Sequence, residues 1–282
     1  MGTEKRDRQK ANKAARQAEE AAAEARQRRI RFIRNAVILT IVIIVVGFAL
    51  AGCGSSSGSE GASSDGETAT SASDSGDDAA AVSYGTGACA PAAGTDQPVI
   101  DFDAAPKRCI DPAKTYTATV VTSEGTVVVE LDTERTPVTT NNFVNLARSG
   151  YYDGTSLFRT EATSGIIQGG SPHTQDARDP GPGYTIPDEG LPFTSDDYGP
   201  GTLAMARSSA PNSAGGQFFF LANEGGRYLG DPSQQGAGTY VVFGKVKEGL
   251  DVLETIAGLE DGSGSATPSK PVSITSITIA ES

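Results

Sequence analysis

The chain has no tryptophan, a single histidine and only three cysteines in 282 residues. Zinc sites need three or four clustered Cys, His or carboxylate ligands, so this poverty excludes most zinc frameworks. A serine–histidine–acid triad would have to use His173, which sits in a Ser-Pro-His-Thr loop that reads as surface. Neither a phosphate-binding loop nor a GxGxxG fingerprint is present. The one GxSxG match, Gly54-Ser55-Ser56-Ser57-Gly58, lacks the strand and helix that a nucleophile elbow requires and is chance. The expectation is chemistry without a metal, without a bound cofactor and without a titrating base.

The net charge of -12 hides a division. Residues 1–35 carry 11 Lys/Arg against 5 acids, a net of +6, which leaves -18 on the remainder. An acidic body is repelled by nucleic acid and by anionic lipid, so no nucleic-acid partner is expected. The basic end directly precedes Ala36–Gly52, a run of 17 residues without a charge. A spanning helix needs about 17–25 residues, and a basic flank stays in the cytoplasm. Residues 36–52 are therefore predicted to anchor the chain to a membrane, with everything after them outside.

Two anchoring routes stay open. Leu50-Ala51-Gly52-Cys53 is similar to the lipobox of bacterial lipoproteins, in which the segment is cleaved and the cysteine, here Cys53, is acylated. The charged region before it is long for a signal peptide, which favours an uncleaved anchor. Residues 3–30 are rich in helix formers but lack an apolar stripe, so they read as a solvated helical tail. Residues 53–87 are Ser, Gly, Ala and acids with almost nothing to bury, and read as a disordered spacer. In the segment 88–114, Cys89 and Cys109 remain, 20 positions apart. In an oxidising compartment they are candidates for a disulfide, and closing such a loop contributes ~3 kcal/mol.

From Thr115 the pattern turns globular and mainly β. Thr115–Thr122 and Thr126–Leu131 are β-branched runs around Ser123-Glu124-Gly125, a hairpin signal. Residues 137–148 carry apolar positions at helical spacing, and so do 248–257. Short strands are predicted at 156–159, 166–168, 202–206, 217–221, 240–245 and 271–279, with long Gly/Pro-rich loops over 171–201 and 222–239. Period-two alternation puts Phe218 and Phe220 in the core and turns Phe219 the other way. Asp188-Glu189 and Asp196-Asp197 lie in Pro/Gly loops and read as solvated rather than as a catalytic dyad. Seven or eight strands with two helices suggest a barrel, and a sandwich fits the periodicity equally well.

Several blocks resemble the cyclophilins, a family of peptidyl-prolyl cis-trans isomerases. They are Phe158-Arg159, Gln168-Gly169-Gly170, residues 199–206 (GPGTLAMA), Pro211-Asn212-Ser213, residues 215–220 (GGQFFF) and residues 241–249 (VVFGKVKEG). The resemblance runs from about Thr117 to Ile279 and implies a fold: an eight-stranded antiparallel closed β-barrel capped by two α-helices. It implies a groove with Arg159 as the catalytic arginine and Gln168 and Gln217 as polar neighbours. Met205, Phe219 and Leu229 would line a proline pocket, with Ala206 beside it. Tyr228 falls where many members have tryptophan, and Tyr240 where many have histidine. The implied partners are proline-containing unfolded or flexible chains, and the implied state is a monomer.

The sequence also departs from the family's pattern. One extra residue separates Arg159 from Gln168, and Gly165 stands where a pocket phenylalanine is usual. Ile166 or Ile167 is then expected to supply the missing wall. Arg207-Ser208-Ser209 replaces a shorter stretch, and the tyrosine at position 228 argues against tight cyclosporin binding. Arg159, both glutamines, Met205 and Phe219 are retained, so catalysis is expected to survive, the alternative being a cyclophilin-shaped module that binds proline segments with little turnover.

Overall fold

The computed structural model of the chain describes residues 83–282. The basic tail, the apolar run 36–52, Cys53 and most of the spacer lie outside the described residues. No helix among the described residues is long and apolar enough to cross a membrane.

The β-branched runs form strands β1 (Tyr116–Thr122) and β2 (Gly125–Leu131), an antiparallel hairpin in which Val120 faces Val127. Every second residue of β1 is buried, as a sheet with one face on a core demands. Helix α1 (Pro137–Arg148) follows, with proline opening its first turn. Its cap residue Thr136 makes no side-chain capping bond; Glu189 accepts from the amides of Val138 (3.2 Å) and Thr139 (2.6 Å) instead. A carboxylate is favourable there because it meets the unpaired N–H groups at the positive end of the helix. The loop carboxylate read as solvated is thus half-buried as a helix cap.

Four short strands come next: β3 (Arg159–Glu161), β4 (Ile166–Gly169), β5 (Thr202–Met205) and β6 (Phe218–Leu221). Strand β7 (Val242–Glu248), helix α2 (Leu250–Ala257) and strand β8 (Ile274–Glu281) complete the body. All eight strands join one antiparallel sheet in the order β3-β4-β6-β5-β7-β2-β1-β8. The two edge strands meet through backbone ahead of each. Ser156 bridges Ser273, Leu157 N–H donates to the Val272 carbonyl (2.9 Å), and Ile274 N–H donates to that of Thr155 (2.7 Å). This junction corrects the strand expected over 156–159: only Arg159 belongs to β3, because the preceding backbone is spent on closing the ring.

The ring encloses a core in which Phe143 of α1 meets the rings of Tyr152, Phe218 and Phe243 at 5.2, 5.7 and 5.1 Å. Leu253 and Ile256 of α2 are buried in the same cluster. A short 3-10 helix of about two turns, Glu224–Gly230, falls where the glycine-rich sequence reads as loop; the Asn223 side chain caps it by accepting from Gly225 N–H.

Residues 83–114 form a strap over α1. Gly85 and Gly87 donate to the carbonyls of Pro106 (3.0 Å) and Ala105 (2.7 Å), so the spacer expected through residue 87 has become ordered structure by Gly85. Cys89 and Cys109 form a disulfide, with Cα atoms 5.5 Å apart. The strap explains why α1 is buried almost all round and yet carries asparagines. Asn145 accepts from Ala90 N–H (2.7 Å) and Asn141 from Cys109 N–H (2.6 Å), satisfying groups that burial would otherwise leave unpaired.

Candidate active site

The cross-strand register places one row of side chains on the outer face of the barrel: Arg159, Gln168, Phe219 and Ala204, from β3, β4, β6 and β5. The next row, Thr160, Ile167, Phe220 and Leu203, points inward and is fully or nearly fully buried. Above the outer row opens a cleft of about 570 Å³. Its apolar side is built from Ile166, Phe219 and Leu229, and the Tyr240 ring meets Phe219 edge-on at 5.5 Å. Tyr240 is held in place through its carbonyl, which accepts from the Tyr198 hydroxyl (2.6 Å). Tyr228 stands at the rim, 44% exposed.

The polar side is a relay. Arg159 Nη1 donates to Gln168 Oε1 (3.0 Å), and Gln168 Nε2 donates to Gln217 Oε1 (2.9 Å). Gln217 Nε2 reaches the carbonyl of Ala177 at 3.5 Å, on the loop that forms the far wall with Asp179, Pro180 and Tyr184. Glu161 is an unanticipated member. Arg159 Nε donates to Glu161 Oε1 at 2.9 Å, Nη2 donates to the same oxygen, and Ser164 Oγ donates to Oε2 at 2.7 Å. A guanidinium has five N–H donors. Glu161 takes two and Gln168 one, so two remain, one on each terminal nitrogen. Partial burial pushes the Glu161 carboxyl upward, but the bonds from Ser164 and Arg159 and the charge of Arg159 outweigh it and hold the group below its ordinary value.

Arg159, Gln168, Ala206, Gln217, Phe219, Tyr228, Leu229 and Tyr240 all line this cleft. Met205 does not. It is 1% exposed and packs in the barrel core, because its ladder partner is the inward Phe218 whereas Ala204 pairs with the outward Phe219. Ile166 supplies the apolar wall, and Ile167 faces inward. Gly165 takes no part as a pocket residue: its φ is +71°, and a Cβ there would lie 2.7 Å from the Asn223 nitrogen. It is the turn residue that the extra length between β3 and β4 requires.

The 207–209 departure is tied into the fold and also lines the cleft through Arg207 and Ser208. Arg207 is buried beside Asp188 (3.4 Å) and donates to the carbonyls of Thr239 (3.1 Å) and Ala210 (2.7 Å). Asp188 is therefore a buried ion-pair partner rather than a solvated group, and Asp197 pairs with Arg135 at 2.9 Å. A signal for Glu161 was present in the sequence: a residue two positions after Arg159 on a strand shares its face. No group of three His, Cys, Asp or Glu residues placed to hold a metal ion occurs among the described residues.

The family described as "Cyclophilin type peptidyl-prolyl cis-trans isomerase/CLD" matches residues 117–279. The chain belongs to the cyclophilin-type peptidyl-prolyl cis-trans isomerases. It is 38% identical over 154 residues to a peptidyl-prolyl cis-trans isomerase of Streptomyces antibioticus, covering 54% of this chain and 89% of the relative. It is 34% identical over 167 residues to peptidyl-prolyl cis-trans isomerase B of Escherichia coli K12, covering 57% and 97%. A solved Cryptosporidium parvum cyclophilin-type isomerase, crystallised with the dipeptide Ala-Pro, is similar at 30% identity and a TM-score of 0.49, over 58% of this chain and 98% of that one. As a cyclophilin, the chain is an enzyme that interconverts cis and trans peptide bonds preceding proline. The stapled strap 83–114 lies ahead of the matched residues.

Proposed function

We propose that this cyclophilin acts outside the cytoplasm, tethered by residues 36–52, on flexible proline-containing stretches of exported proteins, with Arg159 as its catalytic group. The barrier to rotation is about 18–20 kcal/mol and comes from C–N resonance. Twisting the amide removes that resonance and leaves a lone pair on the prolyl nitrogen. A donor aimed at that nitrogen binds only the twisted state, which is what raises kcat. Arginine stays charged and needs no pKa tuning, and its planar fork serves Glu161 and Gln168 with two donors to spare. The pocket of Ile166, Phe219 and Leu229 holds the ring while the rest of the peptide turns. The carrying observation is the Arg159–Gln168–Gln217 relay beside that pocket.

One observation favours the second reading, a binding module with little turnover: Glu161 occupies two of the arginine's donors. Exchange NMR of a proline peptide with the full-length chain in mild detergent separates the two. Cis–trans exchange peaks at substoichiometric protein support catalysis; peptide line-broadening without them supports binding alone. Protease accessibility of the body in intact cells tests the tether, and the mass of the mature N-terminus decides whether Cys53 is acylated.

A further inference from the structure

The only histidine of the chain lies away from the relay, between the strap and the far wall of the cleft. His173 Nδ1 is 3.1 Å from Asp179 Oδ1, and Nε2 is 3.1 Å from Asp101 Oδ1. The Asp179 side chain is wholly buried and Asp179 lines the cleft; the His173 side chain is 21% exposed and that of Asp101 80%, and the backbone at position 173 is open to solvent. The wall folds around Asp179, whose carboxylate also accepts from the amides of His173 (2.8 Å), Thr174 (2.9 Å) and Gly181 (2.9 Å). Next to Asp101 in the strap, Phe102 N–H donates to the Pro182 carbonyl at 2.9 Å, and its ring meets that of Tyr184, another cleft residue, at 6.1 Å. The approach is close enough that a Cβ on Gly183, at a φ of +93°, would sit 2.6 Å from the Phe102 carbonyl oxygen.

We propose that His173 is a positioning residue of the cleft: its protonated ring ties the disulfide-stapled strap to the wall that carries Ala177, Asp179 and Tyr184, and so couples substrate affinity to pH. The proposal rests on this cleft being the substrate site. A ring held by acceptors at both nitrogens must donate from both, and only imidazolium does so. The groups facing it are Asp179 on its own loop and Asp101 on the strap, with the Tyr151 hydroxyl near both carboxylates. Burial works against the charged ring, but bonds to the two aspartates and their charge outweigh it, so His173 titrates above its ordinary 6.5. The sign follows: the clamp is fully made below the ordinary histidine value and is released as pH rises through the raised one. Release costs one donor, leaves the backbone bonds to Asp179 in place and loosens the wall rather than unfolding it. Because the Ala177 carbonyl ends the Arg159–Gln168–Gln217 relay, a looser wall weakens substrate binding and leaves the chemistry at Arg159 in place.

The test uses the untagged full-length chain, in which one imidazole gives one unambiguous NMR titration. The expected result is a ring pKa above 6.5, with the amide signals of Ala177 and Gly181 moving at the same midpoint. KM for a proline peptide should rise about two- to fivefold between about pH 6 and 8.5 at constant kcat, the factor that an exposed pair is worth. His173→Gln should show the high KM at every pH, and Asp101→Asn, which keeps the histidine, should move the midpoint down. The proposal is overturned if the Ala177 and Gly181 amides ignore the ring titration, or if either variant reproduces the native KM profile. If the chain binds peptide without turning it over, the catalytic reading fails, while the NMR titration still decides this one.

Discussion

The two faces of strands β4, β5 and β6 carry almost the same apolar composition and do different work. Inward, Ile167, Leu203, Met205, Phe218 and Phe220 fill the barrel; outward, Ile166, Ala204, Phe219 and Leu221 form a second cluster, part of which is the cleft. Burial does not separate them, since Phe218 is 0% and Phe219 4% exposed. What separates them is the side of the sheet, so the loss of a side chain should appear as stability on one face and as affinity on the other.

Phe218→Ala gives the largest effect and the sharpest form of this contrast. Loss of a ring packed against Phe143, Tyr152 and Phe220 should lower stability by about 3–5 kcal/mol. The activity of the fraction still folded should be normal. Phe219→Ala should raise KM most. Equal effects of both variants on KM per folded molecule would break the comparison. The pair Met205→Ala and Ile166→Ala repeats the test with smaller side chains: about 2–5 kcal/mol of stability lost with KM unchanged for the first, against a raised KM for the second. Melting curves and Michaelis profiles on the same samples decide both.

This contrast also shows what was legible in the sequence. Alternation within one strand was enough to turn Phe219 outward from Phe218 and Phe220. It was not enough for Met205, because which side of β5 faces the core depends on its pairing with β6, and that register is not written in either strand alone. The strands and the two helices were legible from periodicity, but that pattern fitted a sandwich as well, and only the resemblance of the motif blocks to the cyclophilins implied the barrel. The strap was not legible: its hold on α1 is made of single backbone amides and asparagine side chains 31 to 55 positions apart, and its hold on the wall of the Phe102 amide and ring, none of which has any periodicity. His173 read as surface and is exposed; its tie to Asp101 and Asp179 was not legible because both partners are acids in loops, the commonest surface composition. Glu161 needed only the period of two, applied from Arg159.

A smaller effect is expected at that carboxylate. Glu161→Gln keeps one acceptor but removes the charge that orients the guanidinium, so kcat should fall by about two- to fivefold, the scale of one partly exposed ion pair. A rise instead would show that Glu161 restrains Arg159, the outcome the binding-module reading requires. The pair's pH range follows from its sign. A carboxyl held below its ordinary value keeps the pair intact above that value and loses it as pH falls through the lowered one, so kcat should be level through neutrality and drop only in acid.

The most direct test of the account is kcat for the full-length chain with Arg159→Ala against the native protein, on one proline peptide, with melting temperatures measured alongside. A donor used only at the twisted amide predicts a loss of about 10²-fold in kcat with KM and melting temperature nearly unchanged. Native kcat in the alanine variant would contradict it.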